Sequence, residues 1–383
     1  MEFCDLKKQY EHLRTDIDSS ISHVLIHGKF VGGPEILELE NKLAEYVGVK
    51  NAIAVSSGTD ALILSLMALG IGNGDYVITV PFTFVANVES VILNGAIPLF
   101  VDVNKDDFTI DINKLNELIK NPIDPNSGNP IEKNKIKAII AVDLFGHIVD
   151  YNKINELIAD KDIYLIEDAA QSFGSELLNR KACSFGDISI TSFFPAKPFG
   201  CYGDGGMIFT DSNLISKRLM MLRDHGQEEK YTHKIIGTNS RMDTIQAAIL
   251  LAKFNEFKSN EIKNRRKVVS CYIKNLKILE ENGFIKLPIF DETNKSVYAQ
   301  FSILINNRDR FLEFLKINLI PFAIHYPVPL HLQPAFSYLG YKKGDFPVSE
   351  ELSKKIVSIP LDAYKTNDEI NNVCDIIKRF FKS

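Results

Sequence analysis

Seven short apolar runs, rich in Val, Ile and Phe, recur along residues 51–211: NAIAVSS (51–57), DYVITVP (75–81), IPLFVDV (97–103), KAIIAVDLFG (137–146), IYLIEDAA (163–170), ISITSFFP (188–195) and GGMIFTD (205–211). Most are continuous rather than alternating, which is how strands covered on both faces read. Helix-like stretches lie between the early ones. TDALILSLMALG (59–70) puts Leu62, Leu66 and Leu69 on one face, and FVANVESVILNG (84–95) behaves likewise and ends in glycine, a helix stop. Repeated strand–helix–strand order predicts an α/β fold with a mostly parallel seven-stranded sheet between helices. After about residue 212 the pattern changes to long charged helices, above all 242–276, then a strand over 296–305 and a helix over 310–319. These features predict a large α/β domain over 1–255, with an N-terminal helical segment, and a smaller α+β domain over 256–383. The polar segment 121–134 reads as an exposed loop, because the sheet pattern resumes after it.

The 383 residues carry a net charge near −5 and no long basic run, which argues against nucleic acid or an anionic membrane surface as partner. No apolar h-region opens the sequence and no stretch is long enough to span a bilayer, so a cytoplasmic location is expected. Cysteines at 4, 183, 201, 271 and 374 lack the spacing of a disulfide framework or a zinc site. The histidines show no metal spacing either, and no metal is expected.

In an open α/β sheet, ligands gather beyond the carboxyl ends of the strands. Three such ends carry chemistry. Ser56-Ser57-Gly58-Thr59-Asp60 opens a helix and could cradle a phosphate on free N–H groups and hydroxyls; its plainer reading is an N-cap. Asp168 ends an apolar strand, where it could face a cationic ring nitrogen or simply pair with a Lys or Arg. Lys197 sits between Pro195 and Pro198, just before Gly200, Gly203, Gly205 and Gly206. Burial would let its amine lose a proton and attack a carbonyl, whereas the plainer reading is a side chain that snorkels to water. The conjunction of phosphate cradle, carboxylate and amine nucleophile matches the needs of pyridoxal 5′-phosphate (PLP). Two look-alikes fail. Gly70-Ile71-Gly72-Asn73-Gly74 follows a helix instead of a strand, and the Asp102–Asp106 stretch lacks the glycine and glutamate of a calcium loop.

These motifs resemble the sugar aminotransferases of the DegT/DnrJ/StrS family, which have the aspartate-aminotransferase-like fold (fold type I). The resemblance runs through HGKFVGGPEILELE (27–40), SSGTDAL (56–62), PFTFVA (81–86), LIEDAAQSFG (165–174), TSFFPAKPFGCYGDGG (191–206), NSRMDTIQAA (239–248) and AIHYPVPLHLQPAF (323–336). DHGQ (224–227) and VYAQF (297–301) are similar to the branch that aminates carbon 3 of a UDP-linked 3-keto N-acetylglucosaminuronic acid. The resemblance implies that Lys197 binds the cofactor and then shuttles the proton. Asp168 would pair with the pyridine nitrogen, Gln171 with the ring oxygen, Phe82 would stack on the ring, and Gly58, Thr59 and Ser192 would hold the phosphate. It further implies that Asn239 reaches the phosphate of a partner subunit, so that the active unit is a homodimer with shared sites. Arg241, His325 and Tyr326 would grip the sugar nucleotide, Arg241 suiting a hexuronate carboxylate. L-Glutamate would be the donor and 2-oxoglutarate its product, with pyridoxamine 5′-phosphate as the cofactor's second form. The implied setting is surface polysaccharide (O-antigen) synthesis. Alternatives of substrate and class are a neutral keto-deoxysugar and a PLP-binding regulatory protein.

Overall fold

A computed structural model describes residues 1–289 and 291–382. All seven apolar runs form strands of one sheet: β1 (Asn51–Val55), β2 (Tyr76–Thr79), β3 (Ile97–Phe100), β4 (Ile136–Val142), β5 (Tyr164–Asp168), β6 (Ile188–Ser192) and β7 (Gly206–Thr210). The order across the sheet is β1-β7-β6-β5-β4-β2-β3, and only β7 runs antiparallel to its neighbours. The helices are α1 (Leu6–His27), α2 (Pro34–Val47), α3 (Gly58–Leu69), α4 (Ala86–Leu93), α5 (Ile112–Lys120), α6 (Tyr151–Ile158) and α7 (Asn213–Arg223). One apolar core, from Ile36 to Phe257 with Leu352 and Ile356 added, covers one face of the sheet, and a second, containing α3, covers the other. The expected one-sided stripe on α3 is corrected by this packing. Leu62 and Leu66 are buried, but so are Ala61, Leu64, Ser65 and Ala68, because α4, α7 and the strands enclose the helix.

The expected long helix over 242–276 is two helices, α8 (Thr244–Glu256) and α9 (Ile262–Glu281), joined by a π-helical turn at Phe257–Glu261. The strand expected over 296–305 is shorter, β8 (Phe301–Ile305), and pairs with β9 (Ile356–Ile359). Residues 297–299 are held off the ladder by the buried Arg265, whose Nε donates to the Val297 carbonyl (3.2 Å) and whose Nη2 donates to those of Tyr298 (2.8 Å) and Ala299 (3.1 Å). A separate core runs from Val268 to Ile377. On these separate cores we propose the division near residue 255. Two ties cross it. Asp102, at the end of the β3 region, accepts from the Val348 and Ser349 N–H groups (3.0 and 2.9 Å) and from Ser349 Oγ (2.6 Å), capping α11 (Pro347–Lys355), which follows α10 (Arg308–Ile317). Residues 2–8 are tied to 361–369 by Leu361 N–H to Phe3 O (3.1 Å), Asp5 N–H to Asp362 Oδ2 (3.0 Å), Lys365 Nζ to Glu2 O (2.9 Å) and Lys8 Nζ to Glu369 Oε1 (2.9 Å). Among the described residues, no helix is long and apolar enough to cross a membrane.

Candidate active site

A cavity of about 460 Å³ opens at the carboxyl ends of the strands, between the sheet and residues 300–326. Several strand ends contribute. After β1 come Ser57, Gly58 and Thr59; after β2, Thr83, Phe84 and Asn87; from β5 onward, Asp168 and Gln171; from β6 onward, Ser192 and Lys197. Gln300, His325 and Tyr326 close the far side.

Ser57 does cap α3, its Oγ accepting the Asp60 N–H at 3.0 Å. The cap and the cradle coexist, because the first N–H groups of a helix have no partner inside it and stay free for an anion. The wall behind them depends on missing side chains. A Cβ on Gly58 would lie 2.8 Å from Ser192 Cβ, and one on Gly206 would lie 2.5 Å from the Ser57 carbonyl. The four glycines after Lys197 all make close approaches and none has positive φ. The Lys197 segment is a tight return from β6 to β7, fixed by Phe193 N–H to Gly205 O, Cys201 N–H to Phe193 O and Lys197 N–H to Phe194 O, each 2.8 Å.

Asp168 is buried. Its Oδ2 accepts from Asn87 Nδ2 (2.8 Å) and its Oδ1 from the Ala170 N–H (3.0 Å). Burial pushes its carboxyl pKa up, against the opposing pull of these donors and of the Lys197 charge. Lys197 keeps some accessible surface because it lines the cavity, but its surroundings are dry enough for burial to lower its pKa, with Asp168 opposing. His325 is pushed down to about 4, first by burial and then by Lys197. Gln171 is oriented at both ends, its Oε1 accepting the Phe145 N–H (2.8 Å) and its Nε2 donating to Tyr326 OH (3.1 Å).

Three of the expected site residues do not line this cavity, one of them, Asn239, being expected in a partner's site instead. Phe82 is fully buried in the core with its ring edge-on to Phe108 and Tyr326, because a bend at 81–83 turns it inward; the half-exposed Phe84 is the ring that lines the cavity. Asn239 is exposed, bridged to Asp224, and does not line the cavity of its own chain. Arg241 is also outside that lining and forms an ion pair with Asp224. Asn87, Thr83, Phe84 and Gln300 went unread in the sequence. Asn87 had a usable signal, an amide between Ala86 and Val88 at the start of a helical run, and its buried Oδ1 has no partner among the described residues. His23, His27 and Glu35 do come together on α1 and α2, contrary to the expectation of no metal spacing, but they lie away from the cavity. His27 Nδ1 already accepts the Lys29 N–H (3.0 Å), which puts the ring proton on the nitrogen that faces Glu35.

The buried carboxylate, the small-residue cradle and the amine of Lys197, which has no hydrogen-bond partner among the described residues, fit PLP. A curated protein of Pseudomonas aeruginosa named UDP-2-acetamido-2-deoxy-3-oxo-D-glucuronate aminotransferase is 40% identical over 374 residues, covering 98% of each chain. A solved DegT DnrJ EryC1 StrS aminotransferase from Brucella abortus superposes with a TM-score of 0.92 at 38% identity, covering 99% of each chain. NtdA from Bacillus subtilis, solved with bound cofactor PMP, superposes with a TM-score of 0.89 at 28% identity, covering 100% of this chain and 85% of that one. With residues 11–378 matching the family description, the chain belongs to the DegT/DnrJ/EryC1/StrS aminotransferase family of PLP enzymes.

Proposed function

We propose that this chain transfers an amino group from L-glutamate to carbon 3 of UDP-2-acetamido-2-deoxy-3-oxo-D-glucuronate. The observation that carries the reading is the placement of Lys197 and Asp168 in one cavity, in a chain 40% identical to an aminotransferase named for that substrate. When bound, PLP supplies the aldehyde that carries the amino group and the ring that takes up the electron pair as a C–H proton leaves. Asp168 keeps negative charge opposite the ring nitrogen. Gly58, Thr59 and Ser192 receive the phosphate. Lys197 takes the proton from the amino-acid carbon as a neutral amine and returns one to the sugar carbon as a cation, a role that its lowered pKa suits. His325 and Tyr326 face the sugar nucleotide.

Asn239 and Arg241 enter this reading through a homodimer, in which each would serve the partner's cavity. The exposed apolar side chains Leu25, Ile26, Phe30, Val31 and Leu37, clustered in sequence, support a large interface there. Assembly and the cytoplasmic location belong to the proposal.

Absorption of the purified protein before and after L-glutamate tests the first half-reaction. A yellow band that bleaches supports it, and Lys197→Ala should lose both band and turnover. Full turnover in that variant would overturn the assignment of Lys197. Turnover of a neutral keto-deoxysugar in preference to the uronate would overturn the substrate. Arg241→Ala should harm use of the uronate far more than use of the neutral sugar.

A further inference from the structure

His325 lines the cavity with one ring nitrogen already engaged. Its Nδ1 lies 2.8 Å from Ser358 Oγ on β9, and Ser358 Oγ lies 2.8 Å from Ser302 Oγ on β8. The two serines are direct cross-strand partners and both are buried. The His325 segment is fixed to the same strand by Ala323 N–H to Ser358 O (3.0 Å) and Ser358 N–H to Ala323 O (2.8 Å). The three polar groups therefore form a rigid chain of two hydrogen bonds.

Counting hydrogens decides its direction. If Nδ1 carried the ring proton, it would donate to Ser358, Ser358 would donate to Ser302, and the Ser302 hydrogen would have no acceptor among the described residues, at a position only 2% exposed. A buried donor left unpaired is costly. If Nε2 carries the proton, Ser302 donates to Ser358, Ser358 donates to Nδ1, and both hydroxyl hydrogens are used. The cation is disfavoured as well, since burial and the nearby Lys197 both act against it.

We propose that Ser358 is a positioning residue that holds His325 as the neutral Nε2–H tautomer, so that the ring offers the cavity a hydrogen-bond donor for an acceptor oxygen of the substrate. The inference rests on the reading above that the keto sugar occupies this cavity. It deepens that reading: at neutral pH His325 grips an oxygen and takes no part as a base, which leaves proton transfer to Lys197.

The test is NMR of the holoprotein labelled with ¹⁵N-histidine, His325 being assigned by the signal lost in His325→Gln. The expected spectrum shows an unprotonated Nδ1 and a protonated Nε2 at pH 7. The reverse assignment, or an imidazolium, would overturn the proposal. Ser358→Ala should mix the tautomers and raise the KM for the sugar about tenfold, roughly one hydrogen bond's worth, with little change in kcat or in bleaching by glutamate. Ser302→Ala should keep the Nε2–H form, because Ser358 still donates. An unchanged tautomer in Ser358→Ala would remove the role given to Ser358, and if that variant does not fold, the wild-type spectrum still decides the tautomer. A protein that shows the Nε2–H form but accepts no keto sugar would overturn the substrate reading and leave the tautomer standing.

Discussion

Phe82 and Phe84 stand two residues apart and answer to different forces. Phe82→Ala should cost about 3–5 kcal/mol of stability, because it empties a fully enclosed site in the core. Phe84→Ala should leave stability within about 0.5 kcal/mol and instead weaken cofactor retention, since its ring is 51% exposed and lines the cavity. Thermal melts and PLP titration of the two variants separate these outcomes; a Phe84→Ala protein that binds PLP normally would take Phe84 out of the site. At this scale the sequence was legible where chemistry is rare. A lysine and an aspartate at the ends of apolar strands announce themselves by the cost of burying them. The choice between two phenylalanines in PFTF depends on a backbone bend, which leaves no mark in composition. Asn87 lay between these cases: its helix was readable, but the turn of that helix facing Asp168 was not.

All seven strands were legible because burial on both faces makes them continuous apolar runs. Helix boundaries near residue 257 were not, since the π-helical turn at Phe257–Glu261 continues the helical run without a Gly or Pro to mark it. Nor did the sequence reveal what Asp102 does. It stood out as a failed calcium loop, and its partners lie in α11, 246 and 247 residues away. Asp102→Ala leaves the buried donors of Ser349 without their acceptor and should cost about 1–3 kcal/mol. Burial pushes the Asp102 carboxyl up, but the hydrogen bonds from Ser349, Val348 and Val103 outweigh it and hold the pKa below the usual value. The stabilisation is therefore present above the ordinary carboxylate pKa of about 4 and fades as pH falls through the lower folded-state value. Denaturant melts of wild type and variant should converge in acid. A gap that persists unchanged to low pH would show that packing, and not the carboxylate, accounts for it.

For the molecule as a whole, the decisive matter is whether Asn239 and Arg241, which lie outside the cavity of their own chain, complete the site of another. Mixing Lys197→Ala protein with Asn239→Ala protein places one intact site in each mixed dimer. Random reassortment should then restore roughly a quarter of wild-type activity from two weak parents. No recovery after exchange, verified by mass, would confine each site to one chain.

The ties between residues 2–8 and 361–369 also set an order of events. A ribosome makes residues 2–8 well before their partners, which emerge after some 350 more residues have been added. Helix α1 can find α8 well before that. The segment ahead of α1 must therefore wait, without these ties and open to proteases, until residues 361–369 have been made. Residues made early are thus among those protected late.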